Sequence, residues 1–314
     1  NYLCHLLVEA YAARGGLVIP WGDYDDEAEA RLGRFTAFLR CHADLFEKTE
    51  RAADVAVLYA RGTDSITQHG SYLGAAQALN ESCIPNEVLY ISSDPQDATP
   101  LSLGSLRPYN AIVYPFKHTL SDDQQAVVLQ YTVEGGTVVL LEADHSFPVP
   151  HREGKHPFGK GGFMIMGSGS DEIPNLGEAY FRAYSDDLRT ELSGKLLPFL
   201  SHGIPVSLPG NGRGAVALAY SRSDPEGAVI HLLNYDYDPD RDLFRPVEPM
   251  EVRIRLSSFA TSFPDRITCT AYSPDRAEPL NLACTPAEAE IVVSLPRLDM
   301  YEVLLIQGEA QDGR

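Results

Sequence analysis

Tyr109-Asn110-Ala111-Ile112-Val113-Tyr114-Pro115, Leu120-Ser121-Asp122-Asp123-Gln124 and Gly135-Gly136-Thr137-Val138-Val139-Leu140-Leu141 form one strand–helix–strand sentence. Ala111 to Tyr114 is an unbroken apolar run, too short for a helix and ended by proline. Ser121 is placed to cap a helix, with Asp122 and Asp123 on its first turn, where the helix dipole favours negative charge. That helix runs to Val133 and stops at Gly135-Gly136, the residue type that a left-handed C-cap requires. Thr137 to Leu141 is apolar throughout rather than alternating, as a strand covered on both faces must be.

The same alternation extends upstream. Val55 to Tyr59 reads as a buried strand, Tyr72 to Leu79 as an amphipathic helix and Glu87 to Ile91 as a further strand. Strands separated by helices predict a doubly wound parallel sheet. Downstream, the stretch from Ala143 to Gly177 is rich in Gly, His and Pro and reads as a long irregular loop. Leu176 to Leu200 reads as a helix that returns the chain to the sheet.

On either side the pattern changes. Before the sheet, Leu3, Leu6, Leu7, Ala10 and Tyr11 recur at helical spacing. Leu17-Val18-Ile19-Pro20-Trp21-Gly22 reads as a short buried strand, and 25–46 as a second helix with Ala28, Leu32, Phe35, Phe38, Leu39 and Leu45 along its stripe. After the sheet, 215–220 and 228–235 flank the turn Ser223-Asp224-Pro225-Glu226-Gly227, a hairpin signature. Strands at 251–256, 268–272, 290–295 and 300–306 follow, predicting an antiparallel β-sandwich. The expected boundaries are 1–51, 52–203 and 204–314.

The 314 residues hold 44 acidic against 25 basic side chains, a formal charge of −19, which argues against nucleic acid or an anionic membrane surface as partner. Neutral ligands such as sugars are compatible with that surface. No apolar run is long enough to span a membrane and no signal peptide opens the chain, while Asn1 to Leu7 reads as the inside of a helix, so a fragment or processed product is expected. Five cysteines without CxxC spacing favour buried thiols and a reducing, cytoplasmic compartment, with a Cys269–Cys284 bridge left open.

The order of these blocks resembles the C-terminal half of multidomain glycoside hydrolases such as the beta-galactosidases with a trimerisation domain. The resemblance rests on 16–22 as a last barrel strand, 54–60 as the opening of the middle domain, the 109–138 run quoted above, and His231-Leu232-Leu233-Asn234-Tyr235-Asp236 as the last hairpin. It implies the end of a β/α barrel, then a flavodoxin-like, amidotransferase-like domain, then a small β-domain, in a homo-oligomer acting on carbohydrate. It also implies an upstream barrel segment. Retaining glycosidases need two carboxylates about 5–5.5 Å apart. In barrel enzymes these follow the strands at their C-terminal ends, so both would precede Asn1, and no catalytic residue is nominated within the chain.

Trp21, Asp23 and Tyr24 would follow the last barrel strand on the active-site face. There an indole can stack on a sugar and a carboxylate can accept from its hydroxyls, and these three are the expected substrate-binding residues. The competing reading has Trp21 covering a core and Asp23 starting a helix. Glu142, Asp144, His145, His151 and His156 crowd the loop after a parallel strand, where ligands gather, but without the spacing of a metal motif. Asp236, Asp238, Asp240 and Asp242 alternate as in the start of a calcium loop, yet Arg241 stands where that loop needs glycine. No metal or cofactor is expected. Neither Pro115-Phe116-Lys117-His118 nor Glu142-Ala143-Asp144 offers a nucleophile, and Cys83 lies at the wrong end of the sheet. Two other readings therefore compete with the glycosidase one: a stand-alone carbohydrate-binding or assembly module, and an independent amidotransferase-like hydrolase, which the missing nucleophile disfavours.

Overall fold

The structure is a computed structural model that describes residues 2–12, 25–51, 53–61, 66–92, 100–115, 120–142, 147–150, 152–166, 186–210, 214–224, 226–259 and 266–308. The chain divides into two compact units, one of 53–203 and the other of 1–52 together with 204–314.

The second of these begins with α1 (Tyr2–Ala12), α2 (Asp26–Cys41) and β1 (Thr49–Arg51). Asp25 caps α2, its carboxylate accepting from the Ala28 amide at 2.8 Å, with Asp26, Glu27 and Glu29 in the first turn. The chain then enters the 53–203 unit.

That unit is built from β2 (Val55–Arg61), α3 (Ile66–Glu81), β3 (Asn86–Ser92), α4 (Leu103–Leu106), β4 (Ala111–Tyr114), α5 (Asp122–Glu134), β5 (Thr137–Leu140), β6 (Gly154–Phe158), β7 (Gly161–Ile165) and α6 (Asp186–Leu196). Its sheet runs β3-β2-β4-β5-β7-β6, parallel throughout except for β6, which returns antiparallel on β7. Alternate strand residues Ala56, Leu58, Ile112, Tyr114, Val138, Leu140, Phe163 and Ile165 share one core with Val128 and Tyr131 of α5. Val57, Val113 and Val139, which point the other way, are buried too, so these apolar runs reflect a sheet covered on both faces. Ser121 and Gln124 form a capping box at the start of α5, and Gly135 ends it at φ 128°.

One expectation needs correction. The stretch 143–177 contains the strand pair β6–β7, and β7 supplies a fifth parallel strand beside β5, with Val138 opposite Phe163. The glycines that suggested a loop are what allow the pairing. A Cβ at Gly161 would lie 2.0 Å from the Gly136 carbonyl oxygen, so only glycine lets the strands approach. Of the returning helix expected over 176–200, Asp186–Leu196 is observed, and 176–185 lie outside the described residues.

At the amino ends of β2 and β4, the Asp54 carboxylate ties the unit together. It accepts from the Asn110 side-chain amide (3.0 Å), the Ser201 amide (2.7 Å) and the Ser201 hydroxyl (2.8 Å), joining the end of the unit to its beginning.

The described part of the remaining chain is mostly strand, with one short 3-10 turn at Leu256–Ser258. It comprises β8 (Val206–Ser207), β9 (Ala215–Ser223), β10 (Glu226–Asn234), β11 (Tyr237–Asp238), β12 (Leu243–Phe244), β13 (Met250–Arg255), β14 (Ile267–Tyr272), β15 (Leu280–Leu282), β16 (Cys284–Ala287), β17 (Glu290–Leu295) and β18 (Tyr301–Gly308). A six-stranded antiparallel sheet has the order β1-β9-β10-β18-β14-β15, and a four-stranded one the order β16-β17-β13-β8. The predicted hairpin is β9–β10.

Both N-terminal helices lie on the six-stranded sheet. Cys4, Leu7, Val8 and Ala12 of α1 and Phe35, Phe38 and Leu39 of α2 share a core with Val216, Leu218, Tyr220, Val229, Tyr301 and Val303. The Tyr220 hydroxyl donates to the Ala12 carbonyl at the C-terminal end of α1, and Arg34 of α2 pairs with Asp275 at 3.0 Å. The expected strand at 17–22 lies outside the described residues.

Candidate functional site

Trp21, Asp23 and Tyr24 lie outside the described residues, as do Asp144, His145 and His151. Glu142 sits half-buried just after β5. His156 is buried in β6, with its Nε2 2.7 Å from the Arg152 carbonyl oxygen. Among the described residues no group of three or more His, Cys, Asp and Glu side chains could hold a metal ion.

The aspartate-rich turn joins β11 to β12 and is answered by arginine. Arg245 reaches Asp236 at 3.1 Å and Asp238 at 3.4 Å, while Asp242, at φ 49°, accepts from the Tyr237 hydroxyl at 2.7 Å. The alternating carboxylates thus hold a tight hairpin.

A cleft of about 470 Å³ opens where β1 joins the β9–β10 hairpin, lined chiefly by Lys48, Glu50, Ser221, Arg222, Asp224 and Glu226. Register explains the assembly: Arg222 of β9 stands opposite Thr49 of β1 on one side and Gly227 of β10 on the other. A Cβ at Gly227 would lie 2.2 Å from the Ile306 carbonyl oxygen of β18, so that position stays small. Arg222 forms the floor, its side chain only 8% exposed; its Nε donates to the Asp224 carbonyl oxygen at 3.1 Å and its Nη2 lies 3.6 Å from the Asp44 carboxylate. Lys48 enters β1 from a left-handed turn at φ 44°, and Glu50, Asp224 and Glu226 are exposed around the mouth. A guanidinium floor beneath carboxylates offers donors and acceptors at close quarters, chemistry suited to a polar, oxygen-rich ligand. The lining includes no thiol and no imidazole.

A second polar group lies inside the same unit. His5 is buried, stacked on Phe244 at 4.9 Å and edge-on to Tyr235 at 4.8 Å, and burial pushes its pKa down to about 4. Glu9 accepts from the Tyr235 hydroxyl, and burial raises its carboxyl. The cluster binds α1 to β10 and to the β11–β12 hairpin. Sequence reading missed it, and missed Arg222, because each depends on partners distant in the chain.

No protein-family profile and no curated relative matches the chain. Solved structures do. An alpha-L-fucosidase isoenzyme 2 from Paenibacillus thiaminolyticus superposes with a TM-score of 0.61 at 14% identity, over 98% of this chain and 57% of the fucosidase. The fold resembles that of part of this fucosidase. A rhamnosidase from Novosphingobium sp. PP1Y gives 0.52 at 13% identity, over 90% of this chain and 25% of its own length. A GH42 beta-galactosidase from G. stearothermophilus gives 0.51 at 14% identity, over 93% and 46%. This chain therefore spans less than two thirds of each of these enzymes, and the likeness is one of fold. No helix among the described residues is long and apolar enough to cross a membrane.

Proposed function

We propose that this chain is the non-catalytic C-terminal portion of a cytoplasmic glycoside hydrolase, supplying one wall of a carbohydrate pocket and an oligomer interface. The carrying observation is the asymmetry of the likeness: 98% of this chain matches the fucosidase, but only 57% of the fucosidase is matched. The unmatched part would be the upstream barrel with its two carboxylates. In this reading 1–51 ends that barrel, 52–203 is a flavodoxin-like, amidotransferase-like domain of the trimerisation type, and 204–314 is a β-sandwich. The strand order β3-β2-β4-β5-β7 supports the middle assignment, because flavodoxin-like sheets run 2-1-3-4-5. Trp21, Asp23 and Tyr24 would line the pocket from the barrel side.

The test compares the present chain with the longest gene product that contains it. Both are assayed on nitrophenyl α-L-fucoside, β-D-galactoside and α-L-rhamnoside, with the mass in solution measured alongside. The long product should hydrolyse a glycoside as an oligomer, lose rate on Trp21→Ala, and leave the present chain inert. Hydrolysis by the present chain alone, or a long product without a barrel, would overturn the proposal.

A further inference from the structure

Cys269 and Cys284 stand on different sheets yet touch. Cys269 is in β14 of the six-stranded sheet and pairs with Leu282 across the ladder. Two residues after Leu282 the chain has crossed to the four-stranded sheet, where Cys284 opens β16 opposite Val293. The crossing sets β16 against β14, which brings the two side chains together. Both are free thiols. Their environments differ: Cys269 is 2% exposed, whereas Cys284 is half-exposed.

We propose that Cys269 and Cys284 are a reversible thiol–disulfide modification site, at which a small soluble disulfide of the glutathione type clips the two antiparallel sheets together. The accessible Cys284 thiolate attacks one sulfur of the external disulfide, forming a mixed disulfide and releasing one small thiolate. Cys269 then gives up its proton to solvent and attacks the Cys284 sulfur, forming the protein bond and releasing the second thiolate. Two protein thiols are oxidised by two electrons, and one external disulfide is reduced to two thiols. Excess small thiol reverses both steps.

The order of attack follows from the pair itself. Cys284 is open to solvent where Cys269 is buried, and the neighbouring Cys269 thiol holds the Cys284 thiol below its ordinary value while Cys284 and burial push Cys269 up. Cys284 is therefore the entry point and Cys269 the resolving thiol. Exposed Cys41 and buried Cys4 and Cys83 are separate from this pair and serve as internal references. The new bond closes a loop of about 15 residues, which would raise the melting temperature of the β-unit by about 6–12 °C in the chain-entropy picture.

The test equilibrates the full chain with glutathione and glutathione disulfide at pH 8, quenches it with acid and digests it with trypsin. Cleavage after Arg266, Arg276 and Arg297 leaves the two cysteines on separate peptides, 267–276 and 277–297. The expected product is these two peptides joined, separable by dithiothreitol, with a higher melting transition before digestion. Cys269→Ser should stop at the mixed disulfide on Cys284, and Cys284→Ser should leave Cys269 unmodified. Should a variant fail to fold, the wild-type chain still decides: iodoacetamide must label Cys284 ahead of Cys269. A wild-type chain left glutathionylated at Cys284, unmodified at both positions, or labelled first at Cys269 would overturn the proposal.

Discussion

Replacing Phe35 by alanine tests the seating of α2 on the β-unit. Phe35 is fully buried in a core that also holds Val216, Leu218, Tyr220 and Tyr301. Transfer of the ring from core to water accounts for about 2 kcal/mol. The cavity left between helix and sheet raises the expected loss to about 3–5 kcal/mol, because strands pinned in ladders on both sides collapse poorly. The assay is urea unfolding combined with amide exchange of Val229 to Leu233, which lie in β10 between β9 and β18. A loss of that size should speed exchange there by about 150- to 4,000-fold. Arg40→Ala, on the exposed side of the same helix, should change stability by less than about 0.5 kcal/mol. A Phe35→Ala loss below about 1 kcal/mol with unchanged exchange in β10 would refute the packing of α2 on this sheet.

Gly161→Ala should cost more than about 3 kcal/mol in urea melts, because its Cβ would meet the Gly136 carbonyl oxygen at 2.0 Å; a near-neutral effect would dispute the β5–β7 pairing. Ser121→Ala breaks the α5 capping box and should lower the urea midpoint by the equivalent of about 1 kcal/mol with little change in m. Glu302 is 2% exposed beside Arg276, and burial lifts its carboxyl from 4.5 to about 7. Between those values the folded chain keeps a proton that the unfolded chain has released, so stability falls as pH rises from 4.5 to 7, by at most about 3 kcal/mol. Glu302→Gln should flatten that slope in melts taken from pH 4.5 to 8; an unchanged slope would show that Glu302 does not titrate there.

The middle unit was legible wherever local chemistry decides conformation. Ser121, Gln124 and Gly135 bound α5 as their side chains dictate, and the continuous apolar runs of β4 and β5 announced a sheet covered on both faces. What stayed hidden was β7, because Gly161-Gly162 signals a loop by composition and a strand only once the neighbouring backbone is known. The Arg222 cleft escaped for the same reason at longer range. Arg222 alone, between two serines, has no distinguishing pattern, and only the pairing of β1 with β9 makes it a floor. The cysteine pair lies at the opposite extreme: the two positions are close enough in sequence to be considered together, and the sheet crossing between β15 and β16 brings them into contact.

The stripe on α2 could be read, but not its partner, since burial of Phe35, Phe38 and Leu39 has no preferred direction and suits a barrel or a β-sheet equally. The structure seats it on the sheet, which leaves α2 only its charged side, with Glu27, Arg31 and Arg34, for any other contact. Helix α1 differs. Its sheet-facing stripe is Cys4, Leu7, Val8 and Ala12, while Leu6 is half-buried and lies outside that stripe. An amphipathic surface helix needs one such stripe; a helix with apolar residues around most of its circumference is suited to burial on two sides. Were the proposed upstream segment to pack on α1, it would cover Leu6 without competing for the sheet-facing stripe. Leu6→Glu tests it: in the present chain the change should be tolerated within about 1 kcal/mol, but in the long gene product it should cost several times more. Equal costs in the two chains would refute that packing.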